Sequence, residues 1–150
     1  MAQDNDTILR MTCRLDASPL TVFEAWTEQS QWEQWLGSAT MRCDVPLLEP
    51  RPGGHFKVAM HPANGTVTRL DGEYKTFDRP RALEFSWWVE GSDVRTTLIT
   101  VQFQAAGDGT ELRLRHEGLS SAASRDSHGK SWEESFSKLK IFLAGGRERF

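Results

Sequence analysis

Residues 124–146 read "SRDSHGKSWEESFSKLKIFLAGG", and the fold turns on them. Trp132, Phe136, Leu139 and Phe142/Leu143 recur at i, i+4, i+7 and i+10/11. That spacing lays one apolar stripe along a helix of some twenty residues, with Gly129 near its start and Gly145 as its stop. A helix with a single apolar stripe must bury it against another surface, and the rest of the chain supplies strands.

Immediately upstream, "ELRLRHEG" carries Leu112, Leu114 and His116 on one face, after the Gly-rich turn "AGDGT". Further back, Ile99, Val101 and Phe103 alternate, as do Leu83, Phe85, Trp87 and Val89. Leu70, Gly72 and Tyr74 share a face, and "PANGT" supplies an Asn-Gly hairpin after Phe56, Val58 and Met60. Met41, Cys43, Val45 and Leu47 alternate before the break "EPRPGG". At the other end, "TILRMTCRL" (residues 7–15) turns Leu9, Met11, Cys13 and Leu15 inward. Between these strands the period changes. "DASPLTVFEAW" predicts a short helix capped by Ser18, with Pro19 at its first position and Val22, Phe23 and Trp26 on one face. "EQSQWEQWLG" predicts a second, with Ser30 as cap, Gly37 as stop, and Trp32 and Trp35 three apart on one face.

The order is strand, two short helices, six strands in hairpin succession and one long helix, an α+β arrangement on an antiparallel sheet. Seven strands at ~4.8 Å spacing would make a flat sheet ~34 Å wide. A helix is only ~10–12 Å across, so the sheet must curl around it in a helix-grip fold. The open end of the grip is filled by side chains or by a ligand, and the two short helices between strands 1 and 2 are available to close it. Residues 1–150 show no repeat and no linker and read as one domain; the polar start "MAQDNDT" predicts fraying over residues 1–6.

Hydrophobic residues make up 38% and charged residues 26%, with a formal net charge of −3. This gives no basic footprint for nucleic acid or an anionic membrane, and no apolar run reaches the ~20 residues of a membrane span. Cys13 and Cys43 form no C-x-x-C and read as buried thiols of a cytoplasmic protein rather than as a redox pair. His55, His61 and His128 lie in separate segments with no metal-site spacing, and no cofactor is implied. No G-x-S-x-G, H-E-x-x-H, P-loop or G-x-G-x-x-G occurs. "SFSK" at 135–138 matches S-x-x-K, and "HEG" at His116 matches half a zinc motif, but both lack companion residues.

Inward parity selects the candidate wall of a cavity. It comprises Phe56 and Met60, then Tyr74, Phe85 and Trp87, then Ile99, Val101, Leu114 and His116 on the strands. Trp132 and Phe136 on the long helix and Trp35 at the rim complete it. His116 reads as a core histidine with satisfied hydrogen bonds or as a ligand contact. Arg95 shares parity with Ile99 and Val101, and reads as a solvated strand end or as a fork for a ligand carboxylate. Tyr74 either packs with a hydrogen bond or orients a ligand. Trp88, outward by parity, reads as covered by long side chains or as a homodimer or chaperone contact.

The segments "SPLTVFEAWTEQSQWEQWL", "RPGGHF", "DGEYKTFDRPRALEFSWW", "TLITVQFQAAGDGTELRLRHEGL" and "HGKSWEESFSKLKIFL" occur in that order over nearly the whole chain. Together they resemble the family of homologues of the activator of heat shock protein 90 ATPase, within the START-like, birch-pollen-allergen-like (SRPBCC) superfamily. Where that family commonly has Gly-Trp at the start of the last helix, this chain has Ser131-Trp132. The resemblance implies a helix-grip fold whose cavity takes lipids, sterols, polyketides or other hydrophobic molecules, and some members are cyclases or aromatases. It also implies a link to a co-chaperone that carries such a domain beside another one. The expectation is non-covalent binding of a small hydrophobic or amphipathic molecule, without a recognised catalytic motif. The alternatives are a polyketide cyclase/aromatase-like enzyme using His116 or Tyr74, and a protein-interaction module.

Overall fold

The computed structural model describes residues 7–91 and 96–145. Seven strands form one antiparallel sheet: β1 (Ile8–Leu15), β2 (Arg42–Leu48), β3 (His55–His61), β4 (Thr68–Asp78), β5 (Ala82–Val89), β6 (Thr97–Ala106) and β7 (Gly109–Glu117). Their spatial order is β1-β7-β6-β5-β4-β3-β2, a meander with the first strand returned to the last. The helices are α1 (Pro19–Thr27), α2 (Gln29–Trp35) and the long α3 (Ala122–Ala144). This is the curved α+β helix-grip architecture that the periodicity demanded. The predicted fraying of 1–6 lies outside the described residues.

Local chemistry sets the helix limits. Ser18 accepts from the Thr21 amide at 3.2 Å, with Pro19 opening α1. Ser121 accepts from the Ser124 amide at 3.1 Å and starts α3 earlier than the apolar stripe suggests. Ser30 does not cap α2. Glu28 holds that position in extended backbone, and its carboxylate accepts from the Gln31 side chain at 2.8 Å instead of from the helix amides.

Trp132, Phe136, Leu139, Phe142 and Leu143 are all buried in the core, and Ser135 between them is buried as well. The three tryptophans of α1 and α2 plug the far end. Trp26 stacks on Trp132 with ring centroids 5.8 Å apart, Trp35 meets Trp26 edge-on at 4.8 Å, and Trp32 meets Phe56 at 5.1 Å. Each such ring buries ~150–250 Å², worth roughly 4–6 kcal/mol of gross transfer free energy before ordering entropy is subtracted.

Strict alternation fails in two strands. A register shift between Asp44 and Leu47 in β2 turns Leu48 inward, where the simple pattern assigned Leu47. A second shift between Tyr74 and Thr76 in β4 lets both Tyr74 and Phe77 reach the core, their rings 5.1 Å apart. Gly72 faces Phe56 across β3 and β4, and a β-carbon there would overlap the Phe56 ring and the Ser86 carbonyl. The missing side chain is what admits that ring.

Candidate ligand cavity

The loop after α2, residues 36–41, is pinned to α3 by three side chains. Lys138 Nζ donates to the carbonyls of Leu36 at 3.2 Å, Ser38 at 3.1 Å and Met41 at 3.3 Å. Ser135 Oγ donates to the Gly37 carbonyl at 2.8 Å and accepts from the Gly37 amide at 2.9 Å. Glu134 accepts from the Ala39 amide at 3.0 Å. The S-x-x-K spacing is therefore a clamp. Its hydroxyl is committed in both directions, and its ammonium neutralises the exposed carbonyls of a loop rather than serving as a base. Burial holds the Lys138 ammonium below its usual range, partly offset by Cys43 and Glu134. Burial also pushes the Cys43 thiol up to about 11, which leaves it unreactive at neutral pH.

Between this loop, the ends of β3 to β5 and the first half of α3 lies a cavity of about 190 Å³ that opens to solvent. Leu36, Met41, Met60, Leu70, Trp87 and Val89 give it apolar walls, and Trp132 lies against Trp87 with ring centroids 6.2 Å apart. Ser38, Thr68, His128, Ser131 and Ser135 supply the polar groups. Among the described lining residues there is no Asp, Glu, Lys or Arg. Nor do three His, Cys, Asp or Glu side chains come together anywhere among the described residues in a way that would hold a metal.

Of the wall selected by parity, Met60, Trp87 and Trp132 line this cavity. Phe56, Tyr74 and Phe85 form a ring cluster behind Trp87, with Phe56 5.4 Å from both Tyr74 and Phe85. Ile99, Val101 and Leu114 are buried in the sheet core, and Phe136 packs one turn beyond Trp132 at 5.9 Å. Trp35 is not at a rim. It is fully buried, its indole N–H donating to the Ala25 carbonyl at 3.0 Å, because α2 folds back on α1 and points that face inward. Tyr74 Oη is buried with no hydrogen-bond partner among the described residues, and burial pushes its phenol up. Arg95 lies outside the described residues.

His116 is completely buried, and its surroundings fix its tautomer. The Trp132 indole N–H can only donate, so His116 Nδ1 accepts from it at 3.3 Å. Thr97 spends its hydroxyl proton on the Trp87 carbonyl at 3.0 Å, so it accepts from His116 Nε2–H at 2.8 Å. Desolvation, reinforced by His128, pulls the imidazole down to about 3 and keeps it neutral. With both nitrogens engaged, this ring joins β7, β6 and α3.

Strand parity and the Trp132-based stripe passed over Leu36, Gly37, Ser38 and Thr68 and, on α3, Ser135, His128 and Ser131. The last two lie upstream of the stripe. With Trp132 and Ser135 they fall at i, i+3, i+4 and i+7, so the stripe runs backward past Gly129 as a polar face. Extending the helical period upstream would have found them. The position where the resembling family carries Gly is a hydroxyl on the cavity wall.

The fold recurs in solved structures. Protein CV1439 from Chromobacterium violaceum superposes with a TM-score of 0.86 at 19% identity, covering 91% of this chain and 96% of that one. The AHSA1 protein SPO3351 from Silicibacter pomeroyi gives 0.82 at 20% identity, covering 91% and 97%. CalU16 from Micromonospora echinospora gives 0.67 at 23% identity, covering 95% and 79%. At such identities the likeness is one of fold. No curated protein is recognisably similar in sequence. The family model described as activator of Hsp90 ATPase homolog 1-like protein matches residues 16–144. The chain belongs to the activator of Hsp90 ATPase homolog 1-like family.

Proposed function

We propose that the protein binds a small hydrophobic or amphipathic molecule, non-covalently, in the cavity between the sheet and α3. The observation that carries this reading is the cavity itself. It is an apolar, solvent-connected space of about 190 Å³ whose walls include two tryptophans, in a fold family that generally binds ligands. A dry cavity of ~150 Å³ holds a benzene, so this volume suits one ring or a short chain. It falls below the ~300–1,000 Å³ of sites for larger ligands, so a sterol or a polycyclic polyketide is not accommodated as the side chains stand.

A cyclase-type reaction finds less support. His116 has no nitrogen free to move a substrate proton, and Tyr74 Oη sits inside the ring cluster rather than on the cavity. NMR titration with toluene and with hexanol tests the binding reading. The expected result is saturable shifts of the Trp87 and Trp132 indole N–H signals. Absence of any localised shift at millimolar ligand would sink it.

A further inference from the structure

Resting on the cavity reading, we infer that His128 Nε2 is the acceptor that selects the ligand, and that the ligand is a neutral single-ring molecule carrying a donor hydroxyl, a phenol. His128 Nδ1 lies 2.8 Å from the Ser124 carbonyl oxygen, a group that can only accept. The proton of the neutral ring is therefore on Nδ1, and Nε2 carries a lone pair. No hydrogen bond to that nitrogen is present among the described residues, whereas both nitrogens of neighbouring His116 are occupied. The ring is held in place. It meets His116 edge-to-face at 5.1 Å, and its backbone bond fixes its tautomer.

The other cavity groups narrow the chemistry. Ser135 has no donor left after its two bonds to Gly37, and its one remaining lone pair belongs to a hydroxyl anchored to that loop. Trp132 has spent its indole N–H on His116 and offers only ring surface. With no charged side chain among the described lining residues, an ionised head group would lose its hydration without a partner. A flat ring fits beside Trp87 and Trp132, whose planes are inclined by 44°. His128 precedes Trp132 by one turn, so a hydroxyl on that ring reaches the imidazole, and Ser131 on the same helical face is its neighbour.

The test is a comparison of phenol with toluene, equal in size but lacking the donor, on wild type, His128→Leu and His128→Gln. Dissociation constants come from calorimetry or NMR titration, and the phenol-to-toluene ratio in wild type is divided by that in each variant. This cancels the different hydration of the two ligands. One net hydrogen bond corresponds to a factor of roughly 3 to 10 in favour of phenol that is lost in His128→Leu. His128→Gln, which keeps an acceptor oxygen, restores part of it. Independently of any variant, the His128 Nε2 nitrogen-15 resonance shifts with phenol and not with toluene. Equal ratios in wild type and His128→Leu, or an unmoved Nε2 signal with both ligands bound, overturn the assignment and leave the cavity standing. Failure of both ligands to bind wild type removes the cavity reading as well.

Discussion

Acidification reads out the buried His116 directly. Its folded-state value of about 3 lies well below the ordinary imidazole value of 6.5. Between those limits the unfolded chain takes up a proton at this residue and the folded chain does not. Stability from the neutral ring is thus fully present above pH 6.5 and is lost as the pH falls, at about 1.4 kcal/mol per unit. At pH 4.5 the loss is about 3 kcal/mol, which in a domain of this size lowers Tm by roughly 6–12 °C. Every other titratable group is common to both proteins, so the informative quantity is the difference from His116→Gln. The glutamine amide offers one acceptor for the Trp132 indole and one donor for Thr97, without a proton to gain. Urea unfolding of both proteins from pH 7.5 to 4.5 should show the wild type losing stability more steeply by that amount. Parallel pH profiles would refute the buried, neutral, doubly bonded histidine.

The clamp on residues 36–41 gives a second expectation. Lys138→Met leaves three carbonyls without their ammonium and should cost about 1–3 kcal/mol, with accelerated hydrogen exchange at the Gly37 and Ala39 amides. Combined with Ser135→Ala the losses should be non-additive, because both side chains hold one loop. Gly72→Ala forces a methyl into the Phe56 ring and the Ser86 carbonyl, and an unfolding free energy lower by about 1–3 kcal/mol, read from denaturant titration, is expected. Cys43, with its thiol raised to about 11, and Cys13, raised by burial, should resist an aromatic disulfide reagent at pH 8 until urea unfolds the chain. Rapid native-state labelling of Cys43 would contradict its burial.

Architecture was legible because it depends on periodicity, which a chain carries openly. The stripe from Trp132 to Leu143, the alternating strands and the Ser18-Pro19 start all reflect residues that interact within one turn or one strand. The departures have local physical causes that leave little trace in composition. A bulge adds a residue without a fixed residue type, so Leu48 and Phe77 turned inward against the simple pattern. Ser30 looked like a cap, yet the chain kinks at Glu28, where α1 has already ended.

The site was less legible. Parity states which residues point inward but not whether another side chain meets them there. Phe56, Tyr74 and Phe85 fill one another's space, while Met60, Trp87 and Trp132 border a gap. That distinction depends on distances between residues such as Gly37 and Ser135, far apart in sequence and hydrogen-bonded in the fold.

By itself, then, the sequence determined a seven-stranded sheet curled around one helix, because covering a ~34 Å sheet with a ~10–12 Å helix admits no flat solution. Only the tertiary structure decided which histidine is closed and which is open. His116 and His128 are chemically identical in the sequence. Trp132 and Thr97 saturate the first, and a backbone carbonyl claims a single nitrogen of the second.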